Sequence, residues 1–221
     1  MRLSLRAITL VVFLLAAAAT ASADTVTMTI NNGGSLTDGG VYVGPYNFTT
    51  SGGQSLQLIC DIFENEVQPP ETWTATLGTI GGSGTGLLGN LNSTIYLELG
   101  YLAENLFAAT NAQTIKDIQW AIWDLFDPGS CNTGISNCDP YGTPSDPAGI
   151  NSWLTAAQNP ANYGTAANYT NLVVYTPTSG WPGYPGNVPQ EYIGIVPEPA
   201  TLLLIGFGLF SLVALRRRLS Y

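Results

Sequence analysis

The chain contains no histidine, and that absence excludes more chemistry than any residue present in it suggests. Without imidazole there is no Ser-His-Asp or Cys-His catalytic pair, no His-ligated zinc, and no side chain whose ordinary pKa lies near neutrality. Cations are almost as scarce. Only six of 221 residues are lysine or arginine, and five of them (Arg2, Arg6, Arg216, Arg217 and Arg218) sit at the two ends. In residues 24–195, Lys116 stands alone against fourteen carboxylates, a formal charge of −13. A body this acidic repels nucleic acid and anionic lipid. It suits solubility outside a cell or association with cations. Three cysteines are too few for a four-cysteine zinc site. These shortages point away from an enzyme and imply no cofactor and no metal.

The ends carry most of what is present. Arg2 and Arg6 precede an apolar run over residues 7–19, followed by Ala21-Ser22-Ala23. Those are the basic, apolar and small-residue parts of a secretory signal peptide, with residues 1–23 removed on export. At the other end, Pro197-Glu198-Pro199 precedes an uncharged apolar stretch, residues 200–215, and then Arg216, Arg217 and Arg218. Sixteen residues make a helix of roughly 24 Å, a short transmembrane segment weakened further by Gly206 and Gly208. Three terminal arginines hold that end in the cytoplasm and leave the body on the far side.

Triplet, apolar span and basic cluster together resemble the PEP-CTERM sorting signal of Gram-negative bacterial surface proteins. The resemblance covers residues 196–221. It implies processing by an exosortase, an inner-membrane-anchored precursor held through residues 200–215, and a final place at the cell surface or in an exopolysaccharide-containing extracellular matrix.

Residues 24–195 are long enough for one domain with its own core. Strands are expected at 25–30, 41–49 (broken by Gly44-Pro45), 55–63, 72–77, 171–175 and 191–195, with a flexible glycine-rich loop at 81–89 and a Pro/Gly-rich stretch at 177–189. The middle is helical. Ile95, Leu99, Leu102 and Leu106 recur along one face of 93–109, and Ile115, Ile118, Ile122, Trp123 and Phe126 along 114–126. A third helix over 147–158 takes Asp146 as its N-cap. Strands, helices, then strands predict an α+β fold: a β-sandwich or barrel with two or three inserted helices.

Cysteines exported to an oxidising compartment normally pair. Cys131 and Cys138 share one loop and are expected to form a disulfide, which leaves Cys60 without a partner. In S-L-Q-L-I-C-D-I-F, strand alternation puts Leu56, Leu58 and Cys60 on one inward face. The sulfur is then an inert buried thiol, a half of an intermolecular disulfide, or a nucleophile. The third possibility draws on Gln119, an amide on the apolar stripe of I-K-D-I-Q-W-A-I-W-D. An amide there is costly unless it is hydrogen-bonded or consumed. A thiol that meets a glutamine amide in a dry pocket can expel ammonia and form an internal thioester.

The cysteine segment and the later Ile118-Gln119-Trp120-Ala121-Ile122-Trp123 resemble the two sequence blocks of the thioester domains of bacterial surface adhesins. The resemblance spans about residues 56–127. It implies that Cys60 is the thioester sulfur, Gln119 the acyl donor, and an amine on a partner surface the target. Ile59 stands where that family often has an aromatic residue, and Asp61 where it often has an apolar one.

Other patterns are weaker. Glu64 and Glu66 have the spacing of a carboxylate pair. Asp124, Asp127, Asp139 and Asp146 surround the cysteine loop with oxygen ligands that calcium accepts, but no EF-hand repeat accompanies them. Trp181 and Tyr184, in W-P-G-Y-P-G, offer rings on which a sugar can stack. The rival to covalent adhesion is therefore a non-covalent binding or structural module, associated with carbohydrate or calcium, in which Cys60 is inert.

Overall fold

The computed structural model describes residues 25–63, 67, 69–126, 144–179 and 189–195. The signal peptide, Glu64 and Glu66, the Cys131–Cys138 loop with Asp127 and Asp139, Trp181 and Tyr184, and the tail from Val196 onward all lie outside the described residues.

Six antiparallel strands close into a barrel. The chain runs through β1 (Thr25–Asn32), β2 (Thr37–Asp38), β3 (Val41–Tyr42), β4 (Tyr46–Thr50), β5 (Ser55–Cys60), β6 (Glu71–Thr79), β7 (Thr85–Gly86) and β8 (Gly89–Asn90). Four helices follow: α1 (Thr94–Ala108), α2 (Ala112–Phe126), α3 (Pro147–Ala157) and the single turn α4 (Pro160–Tyr163). A 3-10 turn at Ala166–Tyr169 leads into β9 (Leu172–Ser179) and β10 (Tyr192–Ile195). The barrel order is β1-β4-β5-β10-β9-β6, with β6 returning to β1. Closure leaves none of the six with an open edge. The expected α+β class, with barrel-like strands and inserted helices, is the class observed.

Alternation sets the barrel interior. Met28 and Ile30 of β1, Tyr46 and Phe48 of β4, and Leu56, Leu58 and Cys60 of β5 are all buried. Phe48, Trp73 and Tyr192 pack as an aromatic cluster, Phe48 edge-on to both others with ring centroids 4.7 Å from Tyr192 and 5.8 Å from Trp73. Strand β10 departs from alternation: Tyr192, Ile193 and Gly194 are all buried. That pattern belongs to a strand covered on both faces.

Several boundaries differ from the sequence reading for identifiable reasons. Strand β5 stops at Cys60 rather than continuing to Phe63. The 81–89 loop holds a small hairpin, β7 with β8. Strand β9 extends through Pro177 to Ser179, so the Pro/Gly-rich stretch begins inside a strand. The register against β6 shifts between Thr74 and Ala75, opposite Pro177, and a proline is tolerated at such an irregularity because no ladder donor is needed there. Helix α2 starts at Ala112, two residues earlier than expected, because the Asn111 side chain accepts from the Gln113 and Thr114 amides at 2.8 and 3.2 Å. The β2–β3 hairpin turns through Gly39 and Gly40, both at positive φ, as a two-residue turn of this hand requires.

Candidate functional site: a buried cysteine and glutamine

Cys60 ends β5 opposite Tyr192 of β10, and it is fully buried. Its thiol donates to the Ile62 carbonyl at 3.0 Å. Burial pushes the thiol well above its ordinary pKa, and the neighbouring Asp61 pushes it further. The Trp123 indole N–H and the Ile62 backbone oppose this only in part. That indole nitrogen is buried and makes no hydrogen bond of standard geometry, so its influence on the sulfur is that of a nearby dipole.

Gln119 lies in the middle of α2 and is also fully buried. Fifty-nine residues separate it from Cys60 in sequence, yet its Nε2 donates to the Cys60 carbonyl at 2.7 Å. Its Oε1 accepts from the Gly44 N–H at 3.3 Å. The amide is thus held at both ends, by the last residue of β5 and by the link between β3 and β4. Gly44 can present its N–H there because its φ is +94°, a region that residues with a Cβ rarely adopt. An added Cβ would also come within 2.8 Å of Ile115 Cγ2, one turn before Gln119 on the same helix.

Aromatic rings close the surroundings. Phe63, just beyond β5, has its ring centroid 4.9 Å from Trp123 and 5.5 Å from Trp120, and the two indoles meet edge-to-face at 5.0 Å. Trp120 is anchored by its Nε1 on Asp38 Oδ2 at 3.0 Å. On the other flank, Val43, Pro45 and Ile115 line a cavity of about 430 Å³, shared with Leu36, Asn47 and Gln57. Val43 and Pro45 flank Gly44 in sequence, Ile115 lies one turn before Gln119, and no charged side chain is among the lining residues.

Two carboxyls complete the neighbourhood. Asp61 follows Cys60, and Glu191 precedes Tyr192 on the facing strand; both are fully buried. Glu191 accepts from Tyr96 Oη at 2.6 Å, Leu87 N at 2.8 Å and Thr176 Oγ1 at 2.5 Å. Neither Asp61 oxygen has a donor. Burial and the neighbouring Glu191 carboxylate hold the Asp61 carboxyl well above the usual carboxylate range.

The structure therefore brings Cys60 and Gln119 together as a thiol and an intact amide. Asp146 is spent on capping α3, accepting from Gly149 N at 3.0 Å. Among the described residues no group of three or more cysteines, aspartates or glutamates lies close enough to hold a metal ion. The sequence reading missed Gly44 and Glu191 as neighbours of the pair. Gly44-Pro45 was legible only as a strand break, and Glu191 reaches the site through strand register, which the sequence does not reveal.

Chemically, the arrangement seats the glutamine amide on the backbone carbonyl of the cysteine residue, with its own oxygen receiving a backbone N–H, the kind of donor that stabilises a developing oxyanion. The amide nitrogen donates to a second backbone group.

Residues 196–218 match the PEP-CTERM protein-sorting motif. The motif implies an exported precursor anchored at the membrane and processed by an exosortase; residues 200–215 lie outside the described residues, among which no helix is long and apolar enough to cross a membrane. No characterised protein sequence matches the chain. Among solved structures, the chain is similar to the N-terminal thioester domain of a surface protein from Clostridium perfringens, at 13% identity and a TM-score of 0.39, covering 77% of this chain and 98% of that one. So distant a likeness carries no argument about chemistry, and the site stands on its own geometry.

Proposed function

We propose that this exported surface protein is a covalent adhesin that captures an amine through a thioester between Cys60 and Gln119. The observation that supports the reading most is the double anchoring of the Gln119 amide, Nε2 on the Cys60 carbonyl and Oε1 on the Gly44 N–H. In the forming step, Sγ adds to the Gln119 side-chain carbonyl carbon and the carbon–nitrogen bond breaks. The departing nitrogen takes the thiol proton and leaves as ammonia. In the capturing step, an amine adds to the same carbon, the carbon–sulfur bond breaks, and a nitrogen proton returns to sulfur. The product is an amide joining Gln119 to the partner. Each molecule reacts once, so the protein is not a turnover enzyme and needs no cofactor. The cavity beside Gly44 supports access for the amine, whether it belongs to a protein surface or to an exopolysaccharide.

A second reading keeps a specific observation in its favour. Both ends of the amide and the thiol proton are already hydrogen-bonded, which is what an inert thiol and a structural glutamine require. The intact mass of the full chain, purified in detergent, separates the two. A thioester makes the chain lighter by one ammonia, and methylamine restores mass by adding to Gln119. A chain of full mass that methylamine leaves unchanged contradicts covalent adhesion and leaves the inert module.

A further inference from the structure

The polar lining of the cavity beside Val43 and Pro45 is set by an irregularity in strand pairing. Along β4, alternation turns Tyr46 and Phe48 into the barrel and Asn47 outward. Ile30 of β1 pairs with Phe48 and is also buried, so unbroken alternation would turn Asn32 inward. The register instead shifts between Ile30 and Asn32, and the extra residue of this bulge sets Asn32 opposite Asn47 on the outer face. Asn31 is outward as well, donating from Nδ2 to Thr49 Oγ1 at 2.8 Å. On the other side of Asn47, its register partner in β5 is Gln57. Asn32, Asn47 and Gln57 therefore form a row of carboxamides across three strands, about 10 Å long at ordinary strand spacing. All three line the cavity of about 430 Å³.

Two of the three amides are fixed in direction. The Gly34 N–H donates to Asn32 Oδ1 at 3.0 Å, and Asn47 Nδ2 donates to the same oxygen at 2.6 Å. Gly34 is held against the next segment: a Cβ there would come within 2.5 Å of the Pro45 carbonyl oxygen. Asn32 Nδ2, Asn47 Oδ1 and both ends of the Gln57 amide have no hydrogen-bond partner among the described residues. The Ser35 hydroxyl, which also lines the cavity, can donate or accept. Leu36, Val43, Pro45 and Ile115 make the rest of the lining apolar. We propose that this cavity is a binding site for a neutral saccharide. Sugar hydroxyls both donate and accept, as the uncommitted amides require, and the C–H faces of a pyranose ring suit the apolar residues. A phosphate, carboxylate or ammonium group would find no opposite charge in the lining to offset its lost hydration. The volume lies in the lower part of the range for small-ligand sites, roughly 300–1,000 Å³, which fits a sugar or a short glycan end. The assignment does not rest on the thioester reading, because this binding forms no covalent bond.

The test is saturation-transfer NMR on the full chain, held in a detergent without a sugar headgroup. The neutral probes are glucose, galactose, mannose, N-acetylglucosamine and cellobiose. Glucuronate, glucose phosphate and a blocked trialanine peptide represent other chemistries. None of them carries an amine, so a thioester at Cys60 has nothing to capture and its presence or absence does not affect the result. Saturation is expected to reach at least one neutral sugar in preference to the charged sugars and the peptide, with an affinity that added salt leaves unchanged. Gln57 is exposed and unbonded in the fold, so Gln57→Ala is expected to keep the structure and weaken binding about fivefold, the worth of one net hydrogen bond. Ser35→Ala, also at an exposed position, carries the same expectation. Gln54→Ala, in the turn between β4 and β5 and outside the cavity lining, is expected to bind as the parent does. Transfer to none of the five neutral sugars overturns the proposal, as does a preference for a charged sugar or for the peptide. Binding that both Gln57→Ala and Ser35→Ala leave untouched places the sugar elsewhere on the chain and overturns it too.

Discussion

Gly44 shows how much a single backbone angle carries at this site. Its N–H reaches Gln119 Oε1 only because φ is +94°, and its missing Cβ leaves space for Ile115. Gly44→Ala is expected to cost roughly 1–2 kcal/mol from the left-handed backbone alone, read as a lower denaturation midpoint, and to slow ammonia loss by withdrawing the oxyanion donor. A variant that loses stability but acylates at the parent rate would separate Gly44 from the chemistry. Cys60 and Gln119 were legible in the sequence because each breaks a local rule: a thiol without a partner in an exported chain, and an amide on an apolar helical stripe. The role of Gly44 was not, since its hydrogen-bond partner lies 75 residues away. Asp61 was visible as an acid in an apolar segment, but its partner depends on the pairing of Cys60 with Tyr192.

At the scale of elements, helix α2 delivers the glutamine. Its middle and C-terminal half is buried almost continuously, from Asp117 to Leu125. Its start is fixed by Asn111, whose side chain takes two otherwise unpaired amides. Asn111→Ala should destabilise the fold by about 1 kcal/mol, measured by chemical denaturation, with the ammonia loss of the folded protein unchanged because Gln119 lies two turns further on. Periodicity was enough to find α1, α2 and α3. It failed at β9, where a proline inside a strand reads as a loop until the irregular pairing with β6 is known. It also failed in the 81–89 loop, whose hairpin strands are two residues each and too short to show alternation.

For the molecule as a whole, the acidic surface and the buried carboxyls set the response to pH. Burial, and then Glu191, raise the Asp61 carboxyl above its unfolded value; burial also raises Glu98, Glu104 and Asp117. Groups raised on folding contribute stability that is complete below the unfolded carboxylate range, near about pH 4, and that is lost as pH rises through the folded values. Repulsion within a body of −13 also eases as carboxylates protonate. The unfolding midpoint should therefore fall from mildly acid to alkaline pH, and Asp61→Asn should flatten that slope. A slope of the opposite sign, or one that Asp61→Asn leaves untouched, contradicts the upward shift of the Asp61 carboxyl.

The tail and the site divide the work at this scale: the sorting motif at 196–218 addresses the chain for export and processing, and the buried pair would make its attachment permanent. The most direct measurement is peptide mapping of the purified full chain without alkylation or amine. The account predicts a cross-linked peptide pair that contains Cys60 and Gln119, lacks one ammonia, and separates after methylamine treatment. Separate peptides, with an intact Gln119 amide and a Cys60 that alkylates once the chain is unfolded, would contradict it.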